Sequence, residues 1–189
     1  MTENTGKTTL VIGGCRSGKS RYALDAANGL AKENKIYLAT SVPTDAEMED
    51  RVRRHRAERG PDWKTLEEPI EIHDAILSAS ESAAVVLVDC LTLWTSNLLF
   101  GGADEAGIML AVDRLNRALE QAECPVILVS NEVGYGIVPE NDLARQFRDM
   151  AGLVNQRVAA AVDRVVLTVA GIDVLIKPKP GHSPECGGI

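Results

Sequence analysis

The octapeptide Gly13-Gly14-Cys15-Arg16-Ser17-Gly18-Lys19-Ser20 follows the apolar run Leu10-Val11-Ile12 and leads into a segment with helical periodicity. Few eight-residue patterns constrain a fold as strongly. Its glycines let the backbone wrap a phosphate with N–H groups, and the start of the following helix adds partial positive charge. Lys19 can reach the terminal phosphates, and the Ser20 hydroxyl is placed to ligate Mg²⁺. A strand, this loop and a helix in that order predict a P-loop in an α/β domain, with ligands gathered at the carboxyl ends of the strands. The plainer reading, a Gly-rich turn with a surface lysine, accounts for neither the preceding strand nor the following helix. Gly6-Lys7-Thr8 lacks the upstream glycine and strand and is not read as a second cradle.

The rest of the chain is consistent with that class. Thr9–Ile12, Ile36–Ala39, Val85–Asp89 and Val126–Ser130 are short runs rich in Val, Ile and Leu. They are apolar nearly throughout rather than alternating, as when both faces of a parallel sheet are covered. Between them Ser20–Glu33, Ala46–Glu58, Asp104–Glu123 and Asn141–Val162 carry helical periodicity, so strands and helices alternate. Val165–Val169 and Val174–Lys177 flank Ala170-Gly171-Ile172-Asp173 and predict a terminal hairpin-like pair. The expected fold is thus a doubly wound, mostly parallel sheet of the P-loop NTPase type. Residues 1–8 are read as a flexible start, 9–177 as one domain, and 178–189, PKPGHSPECGGI, as a disordered tail.

With 189 residues and 45% hydrophobic content the chain can bury one ordinary core. A net charge of -7 argues against a broad polyanion-binding surface, so nucleic acid is not an expected partner and an anionic ligand must be held locally. Cys15, Cys90, Cys124 and Cys186 form no CxxC pair, which disfavours a zinc site or disulfide framework and suits a reducing cytoplasm. No export leader or membrane span is read.

Two further features bear on chemistry. P-loop enzymes hold their metal through an acid at the end of another strand, and Asp89, closing Val85-Val86-Leu87-Val88, is the best candidate, ahead of the plainer reading of a carboxylate that caps the next segment. The segment from Glu47 to Arg59 packs five arginines around His55. On a helix, Glu47, Arg51, His55 and Arg59 share a face. The cations would keep the imidazole neutral and nucleophilic and could neutralise charge on a phosphoryl centre. A solvated charged helix is the plainer reading, and periodicity does not choose between them. The segment Asn131–Asn141 is a shaped loop that either approaches the cleft, with Asn131 and Glu132 as polar contacts, or merely connects to a helix capped by Asn141.

Beyond these motifs, the chain closely resembles the family of bifunctional adenosylcobinamide kinases and adenosylcobinamide-phosphate guanylyltransferases of cobalamin biosynthesis. The likeness runs from about Thr9 to Lys177. It is carried by GGCRSGKS, YLATS at Tyr37–Ser41, RVRRHRAERGPDWKTLEEP at Arg51–Pro69, VDCLTLWTSNLL at Val88–Leu99, the long segment Ser130–Ala159 and VVLTVAGIDVLIK at Val165–Lys177. The resemblance implies phosphorylation of adenosylcobinamide, then transfer of GMP from GTP to adenosylcobinamide phosphate, with GTP and ATP as co-substrates and Mg²⁺ as cofactor.

Matched residue by residue, the family's GMP-histidine intermediate falls on His55. Some relatives carry a second histidine beside it, where this chain has Arg54. Gly13, Gly14, Cys15, Arg16, Ser17, Gly18, Lys19 and Ser20 would bind the phosphates, with Lys19 also catalytic. Ala39, Thr40, Ser41, Arg56, Ala57, Glu58, Arg59, Glu67 and Asp89 would line the nucleotide site, and Ser20 with Asp89 would hold the metal. The resemblance also implies a homo-oligomer, with a trimer as one option.

Two other functions compete: a monofunctional small-molecule kinase in which His55 positions substrate, and a regulatory nucleotide-binding module without transfer chemistry. Trp63 and Trp94 are the flat side chains available to a large macrocycle, though both also suit core packing. Arg145, Arg148 and Arg157 are read as solvated or paired with Asp142 and Asp149 and receive no catalytic role.

Overall fold

The computed structural model describes residues 7–41 and 59–177. The expected helix Ala46–Glu58, including His55, Arg56, Ala57 and Glu58, and the tail from residue 178 lie outside the described residues.

Along the chain the elements are β1 (Thr8–Gly13), α1 (Lys19–Leu30), β2 (Lys35–Ala39), β3 (Trp63–Glu67), α2 (Ile72–Ser80), β4 (Val85–Asp89), α3 (Leu91–Phe100), α4 (Glu105–Gln121), β5 (Val126–Asn131), α5 (Asp142–Ala161), β6 (Arg164–Val169) and β7 (Ile172–Lys177). They build one seven-stranded sheet in the order β3-β2-β4-β5-β1-β6-β7. Every pairing is parallel except β6 with β7, the expected C-terminal hairpin.

Apolar runs form the central strands because helices cover both faces. Side chains alternate across the pleat, so Leu10, Ile12, Val86, Val88, Val126 and Leu128 enter the larger core with Ile72, Ile76, Leu91, Trp94, Ile108, Leu115, Val154 and Val158 of α2 to α5. Val11, Val85, Leu87, Ile127 and Val129 point the other way, onto Ala23 and Ala27 of α1. Two alanines at that contact let α1 lie close against the sheet.

Two elements depart from the sequence reading. Strand β3 is a parallel partner of β2 that was not expected, and its exposed Lys64 and Glu67 suit an edge position. Helix α3 was also not expected. The apolar residues of α3, LTLWTSNLLF, are spread round the helix, so it offers no narrow stripe to detect. Trp94 is fully buried there and its Nε1 donates to the Ile70 carbonyl at 2.7 Å, while Trp63 is 8% exposed. Both tryptophans are packing residues and offer no open platform to a macrocycle. Among the described residues no helix is long and apolar enough to cross a membrane.

Candidate active site

At the end of β1 the chain turns through the glycine-rich loop into α1. Gly18 has φ of 102°, a backbone state open to glycine at little cost, and it directly precedes α1. Helices α4 and α5 are capped by the side chains of Asp104 and Asn141, which accept from Gly107 N and Ala144 N, and each has an acid in its first turn. Helix α1 has neither. Its positive end is therefore left uncompensated by side chains, as an anion site requires. Lys19 Nζ donates to the Gly14 carbonyl at 3.0 Å, folding the ammonium back over the loop. Cys15 and Arg16 sit exposed at the tip.

The loop is braced from behind by the C-terminal hairpin. Ser17 is buried, and its Oγ lies 2.8 Å from Thr168 Oγ1 on β6. Gly171 N, in the β6–β7 turn, donates to the Ser17 carbonyl at 2.8 Å. Gly13 admits no side chain here, because a Cβ would lie 2.4 Å from both hydroxyl oxygens and 2.6 Å from the Thr168 carbonyl. On the other flank Glu132 N donates to the Gly13 carbonyl at 3.1 Å.

Strand register aligns the remaining candidates. Ala39 of β2 lies opposite Glu67 of β3 on one side and Asp89 of β4 on the other, and Asp89 is level with Val129 and, through it, Val11. Gly13 therefore stands two residues beyond that row, and the loop overhangs the strand ends. Thr40 is fully buried; its hydroxyl donates to the Cys90 carbonyl and accepts from Cys90 N, both at 2.8 Å, stapling β2 to β4. Asn97 Nδ2 donates to the carbonyls of Thr40 and Pro69, tying in the segment after β3.

A cavity of about 240 Å³ opens beside the loop, lined by Ser20, Arg21, Leu24, Tyr37, Arg59, Leu87 and Asp89. Tyr37 Oη donates to Asp89 Oδ2 at 3.0 Å. Burial, and then the Asp89 carboxylate, push the Tyr37 phenol well above its ordinary range, so its hydroxyl stays protonated and is the donor. The Arg59 guanidinium lies over the same ring at 3.5 Å from its centroid, and Arg59 Nη2 donates to Thr65 at 3.3 Å. Burial, and then Asp89, push the Cys90 thiol up to about 11. Carboxylate and hydroxyl oxygens on one wall form a hard donor set that suits Mg²⁺.

The family model described as cobinamide kinase / cobinamide phosphate guanyltransferase matches residues 9–176. The chain belongs to this family. It is accordingly an enzyme of a kinase and guanyltransferase family that uses nucleotides. It is 42% identical over 173 residues to the bifunctional adenosylcobalamin biosynthesis protein CobP of Pseudomonas aeruginosa, covering 90% of this chain and 98% of that protein. To the proteins named bifunctional adenosylcobalamin biosynthesis protein CobU it is 43% identical in Escherichia coli and 44% in Salmonella typhimurium, each over 180 residues, 89% of this chain and 98% of the relative. The fold is similar to that of a KaiC-like protein of Pyrococcus horikoshii, with TM-score 0.56, 13% identity and coverage of 94% of this chain and 82% of that one. It is also similar to the flagellar accessory protein FlaH of Methanocaldococcus jannaschii, with TM-score 0.52, 11% identity and coverage of 92% and 80%.

For this cobinamide kinase / guanyltransferase family member, the structure brings Ser20, Arg59 and Asp89 to one cavity and sets Ala39 and Glu67 in the adjoining row. Asn131 is held through its backbone, with Thr92 Oγ1 accepting from its N–H and Asn155 Nδ2 donating to its carbonyl. Glu132 accepts from Gly134 N at 2.7 Å. Arg145 pairs with Asp142, Arg148 lies 3.2 Å from Asp149, and Arg157 lies 3.8 Å from Asp113. Sequence reasoning missed Tyr37 and Thr168. Period-two alternation would have separated Tyr37 from Ile36 and Leu38, and a lone hydroxyl in the run Val165–Val169 would have marked Thr168 as a residue with a partner to find.

Proposed function

We propose that this enzyme phosphorylates the aminopropanol hydroxyl of adenosylcobinamide and then transfers GMP from GTP to the product through a histidine-bound intermediate on His55, giving adenosylcobinamide-GDP and pyrophosphate. In the first reaction the acceptor hydroxyl oxygen attacks the γ-phosphorus of ATP or GTP, its proton is lost to solvent, the bond from that phosphorus to the β–γ bridging oxygen breaks, and the nucleoside diphosphate leaves. In the second a neutral imidazole nitrogen of His55 attacks the α-phosphorus of GTP, the bond to the β-phosphate oxygen breaks, and pyrophosphate departs. A phosphate oxygen of adenosylcobinamide phosphate then attacks that phosphorus, the P–N bond breaks, and the imidazole is restored.

Residues Gly13 to Ser20 would hold the phosphates by backbone N–H groups, with Lys19 neutralising charge on the departing group. Ser20 and Asp89 would hold Mg²⁺, which would supply positive charge to neutralise the phosphates during transfer. Ala39, Thr40, Ser41, Arg56, Ala57, Glu58, Arg59 and Glu67 would surround the rest of the nucleotide.

The observation that carries this reading is the placement of Arg59 in the wall shared with Ser20 and Asp89. His55 precedes Arg59 by four residues, so its Cα lies within about 14 Å of Arg59 at full chain extension. The imidazole of His55 and a triphosphate seated on the loop can together close such an interval. The deciding experiment is mass spectrometry of protein incubated with GTP and Mg²⁺. A GMP adduct on His55, labile in acid and stable in base, supports the proposal; absence of any adduct, or equal labelling of His55→Ala, defeats it. Migration of γ-label to cobinamide with no α-label on the protein would instead identify a monofunctional kinase.

Association into a homo-oligomer is also proposed. Ile172, Val174, Leu175 and Ile176 of the edge strand β7 are between 47% and 67% exposed, an apolar surface that subunit contact would cover. Light scattering at micromolar protein tests it, and a monomer throughout would refute it.

A further inference from the structure

Tyr37 occupies an unusual place in the cavity wall. Its hydroxyl donates to Asp89 Oδ2 at 3.0 Å while its ring face carries the Arg59 guanidinium at 3.5 Å. The ring is in turn fixed edge-on against Trp63, at 6.4 Å between centroids and 81° between planes. Trp63 is itself held by a hydrogen bond from Nε1 to Asn28 at 3.3 Å and by Lys35 Nζ over its face at 5.3 Å. Lys35 and Trp63 are both buried, so this support belongs to the packed core and not to a loose surface contact.

We infer that Tyr37 is a positioning residue that sets two reactive groups at once, orienting the Asp89 carboxylate through its hydroxyl and the Arg59 guanidinium through its ring. The inference rests on the proposed function for what those two groups do. One oxygen of Asp89 accepts from Tyr37, which fixes the plane of the carboxylate and directs its second oxygen. Arg59, bound on a π face and on Thr65, is held where the chain emerges from the segment bearing His55. The two roles use different parts of one side chain and are separable: phenylalanine keeps the ring and loses the hydroxyl, whereas leucine loses both.

The test compares Tyr37→Phe and Tyr37→Leu with wild type in the full-length enzyme. Binding of Mn²⁺, as a spin-active substitute for Mg²⁺, is followed by electron paramagnetic resonance in the presence of a non-hydrolysable GTP analogue. Kinase turnover and GMP-adduct formation are measured across a Mg²⁺ titration. For Tyr37→Phe, Mn²⁺ affinity falls about tenfold, as expected for losing one hydrogen bond to a charged group, and saturating Mg²⁺ restores the kinase to within about twofold of wild type. Tyr37→Leu shows the same metal shift together with a loss of adduct formation of about five- to tenfold that saturating Mg²⁺ does not recover, the cost of removing the face beneath Arg59.

Mn²⁺ affinity unchanged in Tyr37→Phe overturns the inference, and so does a leucine variant that behaves like phenylalanine. If both variants lose both activities in the same ratio, at every Mg²⁺ concentration and in step with thermal midpoint, Tyr37 is only a packing residue and the inference also fails. The metal and kinase measurements read Tyr37 whether or not a GMP adduct forms. Absence of the adduct in wild type therefore sinks the proposed transfer chemistry separately.

Discussion

Substituting alanine at Gly13 and, separately, at Gly14 sets apart two demands on the phosphate loop: closeness to the sheet and closeness to the ligand. A Cβ on Gly13 would lie 2.4 Å from Ser17 Oγ, 2.4 Å from Thr168 Oγ1 and 2.6 Å from the Thr168 carbonyl, whereas ordinary contact begins at 3.4 Å. The two hydroxyls can rotate. The carbonyl cannot, because β6 is paired along its length with β1, so the loop or the strand must move. Overpacking of this kind costs about 1–3 kcal/mol, and prising apart the Ser17–Thr168 hydrogen bond adds about 1 kcal/mol. A Cβ on Gly14 meets nothing within 4 Å.

The entropic gain of replacing glycine is similar at both positions and cancels in the comparison. Gly13→Ala is therefore expected to be less stable than Gly14→Ala by about 2–4 kcal/mol, a difference of about 1–2 M in urea midpoint for a slope near 2 kcal/mol/M. Urea unfolding followed by far-UV circular dichroism, without nucleotide, measures it. Equal midpoints, within about 0.5 kcal/mol, would refute the claim that the hairpin strand sets the position of the loop.

Lys19→Ala should lower both phosphoryl transfer and GMP-adduct formation by about 100-fold or more, since one cradle serves both, as radiolabel transfer from γ- and α-labelled GTP will show. His55→Ala should abolish the adduct and spare the kinase; equal loss of both activities would make His55 a binding residue. The exposed Cys15 thiol should alkylate with iodoacetamide far faster than buried Cys90, and GTP should slow the reaction at Cys15 if phosphates occupy the loop. Burial, and then Asp89, push the Cys90 thiol in the folded protein from its ordinary value of 9.0 up to about 11. The neutral form is the one the fold favours, so its contribution to stability is complete below pH 9 and is lost as pH rises through 11. Cys90→Ala should flatten that decline in urea midpoints measured between pH 8 and pH 11.

Much of the fold was legible where one local force dominates. The P-loop announced itself because Gly18 must adopt positive φ before a helix, and only glycine does so cheaply. Asp104 and Asn141 marked the starts of α4 and α5 because a side-chain oxygen there satisfies an otherwise orphaned N–H. Strand β3 was not legible: WKTLE is five residues long with no continuous apolar run, and its place beside β2 comes from pairing partners 28 positions apart, such as Lys35 with Trp63. Helix α3 stayed hidden because apolar residues on several of its sides leave no amphipathic stripe.

The site divides along the same line. Residue types and their spacing were enough to place the glycine-rich loop between β1 and α1, to put Asp89 at the end of β4, and to tie the chain to its family, since such features are written in short contiguous motifs. That β5 lies between β1 and β4, that the hairpin turn buttresses Ser17, and that Tyr37 joins Asp89 to Arg59 could come only from the assembled sheet. Strand order and cross-strand contacts depend on how several interchangeable apolar runs pack against one another. No single run carries that information.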